Sequence, residues 1–218
     1  MTGRPILLVL FLSGLAFSAG CVSLSEKSPS SGLPAGPSFC FVAFPAEPWE
    51  SVHKIEASFQ GRSVSTLLGV TRGDPKGRAL NSILMTPEGF ILLEAEMRDG
   101  EIKIVRAAPP FDSPAFAGGM MEDVGLLFLA PRGKAAPWRK GREDIGICEW
   151  KDLDGSRTEI QGSRINGWRI TRRNDRGEVV REASLDGPFV RGLAVHMELQ
   201  AFRPASYNLR LTLLPPVP

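Results

Sequence analysis

The fold is decided by Leu193–Ala201, LAVHMELQA, and by Tyr207–Leu213, YNLRLTL, which follows it after Phe202–Ser206. In the first stretch Leu193, Val195, Met197, Leu199 and Ala201 alternate with His196, Glu198 and Gln200. In the second, Tyr207, Leu209, Leu211 and Leu213 alternate with Asn208, Arg210 and Thr212. A period of two puts one side of each segment against a core and the other in water, as in a half-buried β-strand. Two such runs joined by a short polar connection predict an antiparallel pair.

Upstream the pattern recurs at intervals of about 8 to 12 residues, the spacing of successive hairpins. His53, Ile55, Ala57 and Phe59 share a face before Gln60-Gly61 turns the chain into Arg62 to Val70. Leu80 to Thr86 passes through Pro87-Glu88-Gly89 into Phe90 to Met97, where Ile91, Leu93, Ala95 and Met97 lie opposite Glu94 and Glu96. Asp99-Gly100 is a hairpin signal leading into Glu101 to Arg106, with Ile102 and Ile104 on its apolar side. Further strands are predicted around Ile145–Trp150, Arg157–Gln161, Ile165–Thr171 and Glu178–Leu185. One helix interrupts them: Ser113 caps it, Pro114 occupies its first position, and Phe116, Met120, Val124 and Leu127 follow at helical spacing. Gly118-Gly119 disfavours that helix by about 1 kcal/mol per glycine relative to Ala and invites a break into two pieces. The expectation is a mainly β domain with a helical insert, a strongly curved antiparallel sheet forming an unclosed half-barrel of about 10–11 strands, covered by helix.

At the N-terminus Arg4 and the amino group precede Ile6–Phe17, an apolar run too short for an ordinary membrane span. Ser18-Ala19-Gly20-Cys21 resembles the lipobox of bacterial lipoproteins. The resemblance implies a signal peptide over 1–20, lipidation of Cys21 and a permanent membrane anchor. Val22 stands where an inner-membrane retention signal would carry Asp, which by the same resemblance implies the periplasmic face of the outer membrane. The lipidated cysteine and the Ser-, Pro- and Gly-rich segment behind it, residues 21–38, read as a flexible tether of roughly 20 to 25 Å. Residues 39–218 read as a single domain.

Cys40 and Cys148 remain once Cys21 is assigned to lipid. An exported chain permits a disulfide between them. Their apolar neighbours Phe39, Phe41, Ile147 and Trp150 equally suit two buried thiols.

Charge and motifs exclude more than they assign. Lys and Arg number 26 against 24 Asp and Glu, for a net +2, without the basic footprint of a nucleic-acid binder. Arg169, Arg172 and Arg173 beside Trp168 read as a solvated strand end. No nucleophile elbow, zinc-protease helix, phosphate loop or dinucleotide fingerprint is present. His196 alternates onto a wet face and His53 onto an apolar one, Glu94 and Glu96 belong to a wet strand face, and no metal site, cofactor or catalytic residue is assigned.

The strand order, the lipobox, Leu84-Met85-Thr86-Pro87-Glu88-Gly89-Phe90, Met121-Glu122-Asp123-Val124-Gly125-Leu126-Leu127 and Ala205-Ser206-Tyr207-Asn208-Leu209-Arg210-Leu211 together resemble the Lol-type lipoprotein carrier and receptor superfamily. The resemblance implies an unclosed antiparallel barrel plugged by helix and a non-enzymatic role in moving lipoproteins or lipids. Met85, Met97, Met120, Met121, Met197, Phe116 and Trp168 fall on faces read as inward, and flexible thioethers suit a cavity that adapts to acyl chains. The residues expected to line such a hollow are Ile83, Met85, Ile91, Leu93, Ile102, Ile104, Met120, Val124, Val195, Met197, Leu209 and Leu211. The expected partners are the membrane, through the N-terminal lipid, and an apolar ligand or lipoprotein. A barrel filled by its own side chains is the alternative: a scaffold lipoprotein that meets a periplasmic protein, first through the basic loop Pro131 to Arg142 with Trp138.

Overall fold

The alternating segments pair into one antiparallel sheet in the computed structural model, which describes residues 38–215 apart from Trp138, residues 142–144 and Arg164. The lipobox Cys21, the signal peptide and nearly all of the tether lie outside the described residues, as does Trp138. The chain order is α1 (Ser38–Phe41), β1 (Trp49–Phe59), β2 (Arg62–Asp74), β3 (Ala79–Met85), β4 (Ile91–Arg98), β5 (Glu101–Ala107) and α2 (Pro114–Phe128). It continues with β6 (Lys134–Ala135), β7 (Arg139–Lys140), β8 (Gly146–Lys151), β9 (Arg157–Ser163), β10 (Gly167–Arg173), β11 (Val179–Val190), β12 (Leu193–Ala201) and β13 (Tyr207–Leu213). The sheet runs β5-β4-β3-β2-β1-β13-β12-β11-β10-β9-β8-β6, with β7 paired to β8 beside that path. The loop expected over Pro131 to Arg142 therefore contains two very short strands.

Hairpin turns follow local chemistry. Gln60 and Gly61, Asp99 and Gly100, and Arg191 and Gly192 all take positive φ, from 50° to 90°. Paired left-handed residues give the turn whose twist matches antiparallel strands, and glycine takes the second position without a Cβ penalty. The long-range closure is β1 against β13, with His53 opposite Leu213, Ile55 opposite Leu211 and Ala57 opposite Leu209. That pairing makes one sheet of the strands before and after α2.

Helix α2 is unbroken across Gly118-Gly119. Ser113 Oγ accepts from the Phe116 N–H at 3.1 Å, and Pro114 needs no partner in the first turn. Two glycines disfavour the helix by about 2 kcal/mol together, while burying a large side chain such as Met121 or Leu127 contributes about 1.5–3 kcal/mol. Packing therefore outweighs propensity.

The helix joins two cores. Its first half packs Ala117 and Met121 against Leu80, Leu84, Leu93 and Ala95 of β3 and β4. Its last turn sets Leu126, Leu127 and Phe128 among Trp150, Ile160, Trp168, Ile170, Leu185, Met197 and Leu199 of β8 to β12. Trp49, Ile55 and Val124 touch both. A disulfide joins Cys40 to Cys148, with Cα atoms 6.2 Å apart, and both cysteines are buried in the second of these cores.

The strong curvature expected of a half-barrel is corrected: the sheet is open and antiparallel with one helix packed on it, and it is neither closed nor strongly curled. Alternation identifies which side of a strand is buried. It carries no information about coiling of the whole sheet, which depends on bulges and on what lies across it.

Candidate functional site

The inner face of the sheet, toward α2, is set by residue parity. Leu84 pairs with Leu93, Ser82 with Ala95 and Leu80 with Met97, and all of these turn toward the helix. Ile83 pairs instead with Val70 and Glu94, so Ile83 and Met85 stand on the outer face, contrary to the face read from sequence. Leu93, Met197 and Leu211 are buried in the cores, and Ile104, Met120, Val124 and Leu209 pack against them. Ile102 is exposed, while Ile91 and Val195 are half-buried beside irregular stretches of their ladders. Phe116, also read as inward, is 40% exposed. The space between helix and sheet is thus occupied by the chain's own side chains.

An open cleft of about 1190 Å³ lies elsewhere, across the ends of seven neighbouring strands, β11 ending on it at Val190. Trp49 and Ser51 begin β1, Gly73 ends β2, Leu80 begins β3, Met97 ends β4, Leu193 begins β12 and Leu213 ends β13. Val190 and Leu214 add apolar wall, and the Glu50–Arg72 ion pair at 2.7 Å lies on the rim. None of the twelve residues expected to line a hollow lines this cleft. Ligand pockets run about 300–1,000 Å³, so the cleft has room for an acyl chain, but Glu47, Glu50, Arg72, Asp74, Glu96, Arg98 and Arg191 share its lining with the apolar residues.

Beside the cleft, the inner face of β1, β2 and β3 carries a buried polar strip. Ser51, His53, Thr71 and Ser82 are each at most 5% exposed. Ser51 Oγ lies 3.4 Å from His53 Nδ1, and Thr71 Oγ1 lies 3.3 Å from Ser82 Oγ. His53 Nε2 and Trp49 Nε1 are buried without a hydrogen-bond partner among the described residues. The His53 ring lies 5.4 Å from that of Phe128, and burial lowers its pKa from 6.5 to about 4.

A second polar group fastens α2 to the sheet. Arg181 Nε of β11 donates to Asp123 Oδ1 at 2.7 Å, and the Tyr207 hydroxyl of β13 donates to Oδ2. Arg181 also donates to the carbonyls of Val180 and Arg203, and its guanidinium sits 5.8 Å from the centre of the Tyr207 ring. Burial pushes the Asp123 carboxyl above the usual carboxylate range, with the Tyr207 and Arg181 hydrogen bonds pulling it back. Burial also pulls Arg181 down, but the bond and charge of Asp123 outweigh it and leave the guanidinium raised. Burial and the Asp123 charge raise Tyr207 as well.

At the end of the strands opposite the cleft, four phenylalanines stand in solvent: Phe90 is 63% exposed, Phe59 46%, Phe116 40% and Phe202 37%. Among the described residues no cluster of His, Cys, Asp and Glu could hold a metal, and no helix is long and apolar enough to cross a membrane. His196 is exposed opposite Asp186, and Glu94 is held by Arg106 at 2.7 Å.

Sequence reasoning missed the cleft, the strip and the Asp123 network. The cleft has no pattern of its own, because it gathers the first and last residues of strands. The strip did leave a signal: Ser51, His53, Thr71 and Ser82 occupy positions that alternation assigns to the core.

No family model and no curated protein matches the sequence. Two solved structures are similar. A LolA superfamily protein from Nitrosomonas europaea aligns at 10% identity and a TM-score of 0.51, over 82% of this chain and 91% of that one. A domain described as an outer membrane lipoprotein-sorting protein, from Vibrio parahaemolyticus, aligns at 8% identity and a TM-score of 0.46, over 78% and 84%. The first gives the chain the fold of that LolA superfamily protein, and at such identity it assigns no residue a role.

Proposed function

We propose that this protein is a lipoprotein anchored through Cys21 to the periplasmic face of the outer membrane. There it holds an apolar ligand, a lipid or a lipoprotein acyl chain, during lipoprotein or lipid trafficking, and performs no covalent chemistry. The observation that carries this reading is the open cleft with walls of Trp49, Leu80, Met97, Val190, Leu193 and Leu213, on a fold whose solved neighbours include a LolA superfamily protein. Burying an acyl chain there is favourable by about 0.8 kcal/mol per methylene. The exposed phenylalanines at the opposite end supply apolar contact for a lipid surface.

The test is equilibrium binding of a fluorescent acyl probe to the full chain. Micromolar binding is expected, weakened at least tenfold in Val190→Glu, which sets a charge on the cleft wall at a half-exposed position. Absence of binding, or binding indifferent to that charge, defeats the reading. The filled space beneath α2 favours a second reading, a scaffold working through a protein partner. A chain that never binds acyl probes yet co-purifies with one periplasmic protein would point there.

A further inference from the structure

We propose that Glu96 and Arg98, side by side at the β4 end of the cleft, form a head-group subsite that selects an acyl amphiphile with a zwitterionic head, a phosphate joined to a primary ammonium. The proposal rests on the acyl reading of the cleft and adds the class of head and the direction in which the tail lies.

The charges of the lining are not equally available. Arg72 is taken by Glu50 at 2.7 Å, and Glu47 by Lys76 at 2.9 Å. Asp74 Oδ1 accepts from the backbone N–H groups of Lys76 and Gly77, each at 3.1 Å. Glu96, Arg98 and Arg191 line the same cleft, are exposed, and have no ion pair or side-chain hydrogen bond among the described residues. Lys103 and Glu101 stand opposite Glu96 and Arg98 on β5 without closing on them.

Strand geometry makes two of these three a pair. Glu96 and Arg98 are two residues apart on the outer face of β4, about 6.6 Å along the strand. Both side chains are long enough to converge on a head whose phosphate and ammonium are two methylenes apart. Met97, between them, turns inward and also lines the cleft, so apolar wall begins beside the charges. That wall continues through Leu80 of β3, Trp49 of β1 and Leu213 of β13 to Leu193 of β12. From β4 to β12 there are five strand spacings of about 4.8 Å, about 24 Å in all, which accommodates a long acyl tail.

Chemistry selects the head. A guanidinium gives phosphate two parallel donors, and a carboxylate accepts from a primary ammonium. A bare phosphate on Arg98 would stand beside the like charge of Glu96, and an uncharged head would engage neither charge. Arg191 lies at the far end, on the turn between β11 and β12, and Glu96, the unpaired carboxylate of the lining, is away on β4.

The test compares three ligands sharing one oleoyl chain, lysophosphatidylethanolamine, lysophosphatidate and 1-oleoylglycerol, by displacement of the fluorescent acyl probe from the full chain. The ethanolamine lipid is expected to bind about tenfold tighter than either of the others, the size of one charge-assisted hydrogen bond. Both subsite residues are exposed, so substitution there leaves the core untouched. In Glu96→Gln the ethanolamine lipid should weaken and lysophosphatidate strengthen until they agree within about threefold, and in Arg98→Ala both should fall to the level of oleoylglycerol. Arg191→Ala should keep the original order. Equal affinities in the unaltered protein, a preference that survives both subsite substitutions, or one that is lost in Arg191→Ala overturns the proposal and leaves the acyl reading intact. Failure of all three ligands to displace the probe overturns both.

Discussion

Acidification isolates the cost of burying His53. The ring is 1% exposed, packs 5.4 Å from Phe128, and among the described residues has only the Ser51 hydroxyl, 3.4 Å from Nδ1, as a hydrogen-bonding neighbour. Burial lowers its pKa from 6.5 to about 4. The folded state therefore refuses a proton that the unfolded chain accepts, so stability is intact above pH 6.5 and drains away as pH falls toward 4, below which this residue contributes no further slope. At about 1.36 kcal/mol per pKa unit, the loss attributable to His53 reaches about 3 kcal/mol. That is a large share of the roughly 5–15 kcal/mol that holds a domain together. Carboxylates also titrate in this window, so the assay is a difference: urea unfolding of the full chain and of His53→Gln at matched pH values from 7 to 4, with the disulfide intact. The free energy of the unaltered protein should fall by about 3 kcal/mol more than that of the variant, with nearly all of the divergence between pH 6.5 and 4. Parallel curves would refute the reasoning, since they would mean that His53 takes its proton as easily folded as unfolded.

Two further outcomes follow from the buried groups. Asp123→Ala leaves the Arg181 guanidinium buried with carbonyl acceptors alone and should cost about 3–5 kcal/mol by urea midpoint. Asp123→Leu combined with Arg181→Met should recover most of it, and a double variant as weak as the single one would assign the loss to helix packing instead. Replacing Cys40 and Cys148 together by Ala removes a link between residues 108 apart in sequence and should cost about 4–5 kcal/mol in thermal or urea unfolding. A loss under about 1 kcal/mol would mean that the unfolded chain is hardly constrained by the link.

The chain revealed those parts of the fold that depend on local periodicity and turn chemistry. Leu193–Ala201 and Tyr207–Leu213 pair as alternation predicts, with Met197 opposite Leu211 and Leu199 opposite Leu209. Gln60-Gly61 and Asp99-Gly100 turn where their residue types predict. Misassignment began where a strand's phase was ambiguous. In Leu80–Met85 apolar residues occur at both parities, and only pairing with Leu93 and Ala95 shows that Leu80 and Leu84 face inward while Ile83 and Met85 do not. The cleft was illegible for a different reason. Leu80, Leu193 and Leu213 lie far apart in sequence and meet only because β1 joins β13 while β2 and β3 follow β1.

That topology also decides where a ligand can enter. A site beneath α2 would require the helix to lift, exposing Met121, Leu126, Leu127 and Phe128, each at most 8% exposed, and breaking the Asp123–Arg181 pair. At about 1.5–3 kcal/mol for each large side chain, lifting costs about 6–12 kcal/mol before the ion pair is counted. That approaches the whole stability of an ordinary domain, so opening along this route competes with unfolding. The cleft at the strand ends needs no such movement. It stands open at the strand ends, with Ser51 on its wall. The Asp123 network and the glycine-containing helix are thus better read as a closed roof that leaves binding to the end of the sheet, where Trp49 and Leu213 stand at the opening.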